Sequence, residues 1–552
     1  MKLSAIIDYR STILEALKKL DSTKLKALIC VDENNKLKGV LVDGDIRRGL
    51  IAGVSLSDSV EKVMNSQPTF LNEGASHQEI GSMISTKIRI IPIVDKSNTL
   101  VDYHTFKEQY DNKYIKNKNI AILGMGYVGL TFGLVLADVG YHITGFDINK
   151  ELIADLNEKK EPFFEEGLKS YLDKHTDNRI HFTTNLENVS ADVYIITVGT
   201  PLLPIEKKPN IEHIKKATKS IGSLIKRGDL VILRSTVPTG LSRNIVLPEL
   251  EKTSGLKCGE DFYLSFAPER TAEGIALREL RKNPQIIGAF DNTSYEITSR
   301  IFESITHTVI NVGSLESAET CKLIDNTYRD HIFSYANNMA RLTEKLGLNL
   351  HELVDAVNFG YERNQIPRPS PGVGGPCLSK DPYILSEVFN ENNLDSDLIM
   401  HARKINELGP NLIKEKLDSL LTKVGKSLEE SKVSLVGMAF KGSPETSDLR
   451  DSTSLWFLDL VRGCKNLNAF DPVISKKELE ELGVCPVSLE DAFKDTDAVI
   501  ILNNHKSYRK WNLTKLFESM KKPAIFIDSW NNFDPLDMKQ HKGILYGGLG
   551  ND

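Results

Sequence analysis

A chain of 552 residues, 40% apolar and 26% charged, is too long for a single core and too ordinary in composition for a fibrous or disordered protein. Its formal net charge of −6 excludes the basic footprint of a nucleic-acid binder or of a protein drawn to an anionic membrane surface. Cysteines at 30, 258, 321, 377, 464 and 485 make no C-x-x-C pair and fall at no zinc spacing with histidine. They read as free thiols in a reducing compartment, with no metal site. The first residues hold no apolar run long enough for a signal peptide, so a cytoplasmic location is expected.

Residues 1–115 read as a small unit built twice. Residues 27–31 and 37–42 have strand character around the turn 32–35, and Asp43-Gly44-Asp45-Ile46-Arg47-Arg48 follows. Residues 90–94, the turn 95–98, residues 100–101 and a short helix make a looser second copy. The pattern predicts an internal repeat of about 55 residues, helix-strand-strand-helix in each half. This unit resembles a cystathionine-β-synthase (CBS) domain pair. That resemblance implies an adenine nucleotide as a possible partner, with Asp45 on its ribose hydroxyls.

After a polar linker at 116–119 the rhythm changes. Residues 120–123 form a short apolar strand, Gly124-Met125-Gly126-Tyr127-Val128-Gly129 a turn, 130–139 a helix and 141–146 a second strand ending at Asp147. The stretch 120–137 carries no charge and has the length of a membrane span, but its glycines and strand-to-turn rhythm indicate a buried βα unit. Further strands are expected at 192–198, 229–236 and 262–267. A long helical pattern runs from 314 to 346, free of proline and glycine. A second βα series starts at 433 and continues through Asp471-Pro472, 498–502 and 524–528. The expected fold class is α/β: two Rossmann-like doubly wound domains joined by a long central helix, plus an N-terminal α+β pair. The expected divisions are 1–115, 116–313, 314–430 and 431–552.

The G-x-G-x-x-G turn follows a strand and opens a helix, with an acidic residue closing the next strand, which is the context a dinucleotide fingerprint requires. Gly124 makes the tight turn, Gly126 admits the pyrophosphate to the helix N-terminus, and Gly129 lets helix meet sheet. Asp147 takes the adenosine ribose, or else caps the next helix. No arginine follows it closely, so NAD is expected over NADP. On the long helix, Lys322, Asn326 and Arg329 are spaced to share a face. In Pro371-Gly-Val-Gly-Gly-Pro-Cys377-Leu-Ser-Lys380-Asp381-Pro382, Asp381 reads as an N-cap with Pro382 in the first turn. Cys377 then precedes a helix N-terminus, where the dipole and Lys380 favour thiolate.

Residues 117–545 resemble the UDP-sugar 6-dehydrogenases, which oxidise a nucleotide sugar's C6 alcohol to the acid. The matching blocks are 124–129, 197–201, 235–240, 268–274, Lys322-x3-Asn326-x2-Arg329, 372–377 with Lys380-Asp381, Phe440-Lys441 and 448–452. The resemblance implies Cys377 as nucleophile, Lys322 and Asn326 at the oxyanion, Asp381 and Glu269 handling protons and water, and Thr236 beside them. It implies Tyr127, Val128, Thr200, Glu273 and Arg450 at the cofactor. Arg270, Arg329, Phe440, Lys441 and Arg363 of a partner subunit are implied at the sugar nucleotide, in a homodimer. Pro268-Glu269-Arg270 resembles the N-acetylhexosamine branch, whereas Lys380-Asp381 resembles the glucose branch. UDP-GlcNAc or UDP-ManNAc is the expected substrate, with UDP-glucose as the alternative and a non-catalytic nucleotide sensor as the alternative of another class.

Overall fold

The computed structural model describes residues 5–23, 27–75, 90–105, 118–187 and 189–550. The linker at 116–117 and the short helix expected after residue 101 lie outside them, apart from the strand Leu100–Thr105.

The large sheet has eight strands in the order Val309–Asn311, Gln285–Ala289, Tyr263–Phe266, Leu230–Leu233, Val193–Ile196, Asn119–Leu123, His142–Phe146 and Ile180–Thr183. All neighbours pair in parallel except Tyr263–Phe266 with Gln285–Ala289. The doubly wound order is therefore present, with one antiparallel step on its outer side. Both faces are buried, which explains the near-continuous apolar strands. Ile120, Ile122, Val193 and Ile195 enter one core, while Ala121, Leu123, Tyr194 and Ile196 enter the other. The uncharged stretch 120–137 resolves into a strand, a turn and the helix Tyr127–Asp138. Among the described residues no helix is long and apolar enough to cross a membrane.

A second sheet runs Cys485–Pro486, Asn466–Phe470, Lys432–Val436, Ala498–Ile501, Ala524–Asp528 and Ile544–Gly548, entirely parallel. Between the two sheets runs the helix Leu315–Leu346, 32 residues and about 48 Å long. Ser314 caps it by accepting from Ser317 N (3.1 Å), and Gly347 ends it at φ +64°. Its burial is inverted. Glu319, Lys322, Asn326, Asp330, Ser334 and Asn337 face inward, whereas Ile324, Tyr328, Tyr335, Leu342 and Leu346 stand exposed.

The N-terminal unit holds two three-stranded sheets, Ile6–Asp8 with Ala27–Val31 and Leu37–Val42, and Leu71–Asn72 with Ile90–Val94 and Leu100–Thr105. The repeat is longer than expected: Ala27 corresponds to Ile90 and Leu37 to Leu100, a spacing of 63. The two copies interlock through their turns, where Leu37 N donates to Asn98 O (3.0 Å) and Leu100 N to Asn35 O (2.9 Å). Asp45 is already engaged locally, accepting from Val42 N (3.0 Å) and Arg48 Nη2 (2.5 Å). Ile91 and Leu71 join the core beneath the large sheet.

Candidate active site

The candidate residues collect at the carboxyl edge of the large sheet, where adjacent parallel strands release their loops side by side. Gly124 turns the chain at φ +101°. A Cβ on Gly129 would collide with the Gly124 carbonyl, so only glycine lets the helix Tyr127–Asp138 pack onto the turn. Gly126 has open space where a side chain would stand, and Val128 is half-buried beside it in the first helical turn. Tyr127 turns inward instead, donating its hydroxyl to Glu165 and accepting from Gly274 N (2.7 Å).

Asp147 ends the next strand and accepts from Met125 N (2.7 Å) and Asn149 N (2.9 Å). It does not cap the following helix, because Asn149 does. The second sheet repeats this device with Gly437, Met438 and Asp471. There, however, Asp471 accepts four backbone N–H groups, from Met438, Ala439, Val473 and Ile474, and is 8% exposed. Half-exposed Asp147 keeps acceptor capacity for a ribose; Asp471 has none to offer. The residues present therefore fit a dinucleotide on the first sheet.

Cys377 is open to solvent but surrounded by groups from four segments. Asp381, 1% exposed, accepts from Asn326 Nδ2 (2.5 Å) and Lys380 Nζ (2.8 Å). Lys380 reaches on to Thr200 Oγ1 (3.4 Å), and Thr200 in turn donates to the Thr236 carbonyl (2.7 Å). Lys322 is 7% exposed on the same face as Asn326, whereas Arg329 is exposed. Gly375 stands at φ +87° with a Cβ position 2.6 Å from the Phe440 ring, so the loop before Cys377 lies flat on that ring. Thr200, Lys380, Tyr383, Arg450 and Trp456 line one cavity of about 560 Å³.

Two expectations change. The helix begins at Asp381 with Lys380 in the cap position, one residue earlier than expected. More consequentially, the groups around the thiol do not all favour thiolate. Although Cys377 keeps exposed surface, the protein packed around its sulfur pushes the thiol above its ordinary value; Lys322 pulls it down, Asp381 pushes up, Lys380 pulls down and Glu273 pushes up, with a net rise. The free protein should therefore alkylate slowly with iodoacetamide at pH 7, because only the thiolate reacts. The rate should climb with a midpoint above the ordinary thiol value of about 8.5. A midpoint at or below that value would contradict this electrostatic account.

The two nearby glutamates stand in different surroundings. Glu269 accepts from Arg234 Nη2 (2.5 Å). Arg234 is 2% exposed, stacked 4.2 Å from the Phe132 ring centroid, and donates to the Ala267 carbonyl (2.9 Å). Glu273 is the glutamate that acts on the Cys377 sulfur. Burial and Asp448 hold it far above the usual carboxylate range, against Arg450 and Lys441. Arg450 bridges Asp448 Oδ2 (2.5 Å) and Glu273 Oε1 (3.2 Å), while Lys441 Nζ donates to the Glu273 carbonyl (2.9 Å). Arg270 lies 3.5 Å from Asp325 on the long helix. Arg363 stands exposed in a loop after the helix Leu350–Asn358, apart from the other candidates. Sequence reasoning misses Arg234 and Glu165, since a single charge carries no spacing signal. No metal-binding cluster occurs among the described residues.

Residues 118–306 match the NAD binding domain, 316–408 the central domain and 434–535 the UDP binding domain of the UDP-glucose/GDP-mannose dehydrogenase family, and 5–52 match a CBS domain. The chain is 32% identical over 437 residues to the UDP-N-acetyl-D-mannosamine dehydrogenase of Pyrococcus horikoshii, covering 78% of this chain and 99% of that one. It is 29% identical over 410 residues to an NDP-N-acetyl-D-galactosaminuronic acid dehydrogenase of Ralstonia solanacearum, covering 72% and 93%. The solved structure of the Pyrococcus horikoshii UDP-D-ManNAc dehydrogenase superposes with a TM-score of 0.71 at 30% identity, over 78% of this chain and 99% of that one. The chain belongs to the UDP-glucose/GDP-mannose dehydrogenase family and is an NAD-dependent nucleotide-sugar dehydrogenase with a CBS domain ahead of its catalytic portion.

Proposed function

We propose that the chain oxidises the C6 alcohol of a UDP-N-acetylhexosamine, UDP-ManNAc or UDP-GlcNAc, to the uronic acid through a covalent intermediate on Cys377. The observation that carries this reading is the network Asn326–Asp381–Lys380–Thr200, which joins the long helix, the helix that follows Cys377 and the first sheet's edge beside that cysteine. The chemistry that NAD supplies when bound is hydride acceptance, once from the alcohol and once from the thiohemiacetal, so that two NADH form per acid. Gly124 to Gly129, with Asp147, Thr200, Glu273 and Arg450, would hold it.

The protein's own groups do the rest. In the first oxidation the C6 hydroxyl proton passes to Asp381 and on through water to solvent as hydride leaves, and Lys322 and Asn326 stabilise negative charge on the C6 oxygen. The Cys377 S–H bond breaks as sulfur bonds to the aldehyde carbon, and its proton passes to the neighbouring carboxylate, Asp381. Loss of hydride leaves a thioester. Water then attacks the carbonyl with Glu269 or Glu273 as proton acceptor, the C–S bond breaks and sulfur recovers a proton. Thr236, its carbonyl fixed by Thr200, lines the same edge. Phe440 and Lys441, 5.3 Å apart, and Arg329 would hold the sugar nucleotide.

Two observations favour the N-acetyl substrates. Arg270 pairs through Nε with Asp325 Oδ2 (3.5 Å) on the helix that carries Lys322 and Asn326, and its side chain stays one-third exposed; the free edge of its guanidinium would donate to an N-acetyl carbonyl. Trp530, where the glucose branch resemblance implies an arginine, is tied by Nε1 to the Leu502 carbonyl (2.8 Å). UDP-glucose is the second reading, supported by Lys380-Asp381. The intact set around Cys377 argues against a non-catalytic sensor. The exposed stripe Ile324, Tyr328, Tyr335, Leu342 and Leu346 suits a second copy of the chain, bringing Arg363 of the partner subunit to the sugar nucleotide. The elements also fit the division 1–115, 116–313, 314–430 and 431–552, the first unit being an adenine-nucleotide-responsive or packing module.

Absorbance at 340 nm with NAD and a panel of UDP-sugars tests the reading. The N-acetylhexosamines should give two NADH per sugar with the highest kcat/KM; preference for UDP-glucose would overturn the substrate choice, and no NADH from any UDP-sugar would overturn the reaction. The same panel with ATP and AMP reads the N-terminal unit.

A further inference from the structure

One buried cation near the site takes no part in the steps above. Arg403, on the helix Asp397–Glu407, has no exposed surface. Its Nη1 donates to the Leu378 carbonyl (2.7 Å) and to Asp330 Oδ1 (2.7 Å), and its Nη2 donates to the Val373 carbonyl (2.5 Å). Val373 and Leu378 bracket Gly374-Gly375-Pro376-Cys377, so a single guanidinium grips both ends of the segment that carries the sulfur. Asp330 lies on the long helix one turn beyond Asn326 and is 1% exposed. The grip is braced from the same side. Asn406 Nδ2 donates to Asp330 O and Oδ1 (both 2.8 Å), Asn337 Nδ2 donates to Asn406 Oδ1 (2.9 Å), and Ser370 N, at the loop's entry, donates to Asn337 Oδ1 (2.8 Å).

The geometry is specific to arginine. Two carbonyls and a carboxylate must be met at once by donors in one plane, a task for a rigid fork and not for a single ammonium. A loop rich in glycine has little stiffness of its own, so the position of its cysteine has to be imposed from outside. We propose that Arg403 is a positioning residue: by clamping the Val373 and Leu378 carbonyls to Asp330, it sets where the Cys377 sulfur stands relative to Lys322 and Asn326. The proposal rests on Cys377 being the nucleophile.

The consequence is a division between the two oxidations. The first uses Lys322 and Asn326, neither of which Arg403 contacts, and their helix is stiff without the clamp. The second needs sulfur within bonding reach of the aldehyde carbon, where a displacement of about 1 Å costs about 10²-fold. Loosening the clamp should therefore let the aldehyde escape before capture.

The test uses the full chain carrying Arg403→Lys and, separately, Asp330→Asn, which keeps the shape and the acceptor oxygen but removes the counter-charge. Acid formation, oxime formation in the presence of hydroxylamine, NAD affinity and melting temperature are measured together. Arg403→Lys should lower kcat for acid about 10²-fold, leave KM and NAD affinity within about twofold, and yield oxime where wild type yields none. Asp330→Asn should shift the same partition in the same direction by a smaller factor, and serves alone if Arg403→Lys does not fold. Wild-type acid formation without oxime in the folded variants would overturn the proposal. So would loss of NAD affinity and melting temperature in parallel with activity, the mark of a purely structural role. Cys377→Ala run alongside separates the two claims: acid from that variant sinks the nucleophile, whereas its absence with normal Arg403 and Asp330 variants sinks only the clamp.

Discussion

Cys377→Ser should lower acid formation by about 10³-fold or more while leaving NAD affinity within about twofold of wild type. A serine hydroxyl is far less acidic than a thiol, so the carboxylate that accepts the Cys377 proton, Asp381, is too weak a base to ionise it. The residues proposed for the pyrophosphate and adenosine ribose lie elsewhere, at the ends of the strands Asn119–Leu123 and His142–Phe146. The substitution removes no charge near Thr200, Glu273 or Arg450, so NAD affinity should survive. The first oxidation keeps Lys322 and Asn326. The variant should accordingly form one NADH per sugar when an aldehyde trap is present, and almost none of the acid. Acid at the wild-type rate would show that water attacks the aldehyde without sulfur.

Lys322→Met should cost about 10²- to 10³-fold in kcat, or roughly 3–4 kcal/mol, the range for removing one oxyanion donor from a closed site. The same change should raise the midpoint for Cys377 alkylation, because Lys322 is the strongest influence holding the thiol down. The sign follows from the charge: without the ammonium, the thiolate loses its main partner while burial, Asp381 and Glu273 remain. Two independent readouts thus come from one cation. A variant with reduced kcat but an unmoved alkylation midpoint would place Lys322 away from the sulfur.

Much of this architecture was legible because it is written locally. The strand-turn-helix at 120–138, the acidic end of the next strand and the glycine-rich loop each announce themselves within a few residues. The repeat was legible as well, but its 63-residue spacing was blurred by looser pairing in the second copy. What stayed hidden were charges whose partners lie far along the chain. Arg403 follows the ordinary polar pattern of a solvated helix face, and only the fold reveals it sealed against Asp330, 73 positions away. Arg234 sits in an apolar strand end, where its pairing with Glu269 depends on the neighbouring strand.

The electrostatic setting of Cys377 is hidden for a related reason. A helix N-terminus and an adjacent lysine are visible in sequence and both favour thiolate; the enclosing protein and Glu273, 104 positions earlier, are not visible and outweigh them. The long helix offered a clue that went unused. Ile324, Tyr328, Tyr335, Leu342 and Leu346 line up at helical spacing opposite Lys322, Asn326 and Asp330. An apolar stripe facing a polar one is normally buried. Here the polar stripe is buried and the apolar one is exposed, which is the arrangement a site beneath and a partner above would produce.

The central claim is a covalent bond between one sulfur and the sugar's C6. Glu269→Gln and Glu273→Gln, incubated with NAD and the preferred UDP-sugar, acid-quenched within a turnover and mapped by peptide mass spectrometry, test it most directly. The account predicts the mass of a UDP-uronyl thioester on the peptide containing Cys377, accumulating in at least one variant and released by hydroxylamine. Acid accumulating with no adduct on any peptide, or an adduct confined to Cys321, would contradict it.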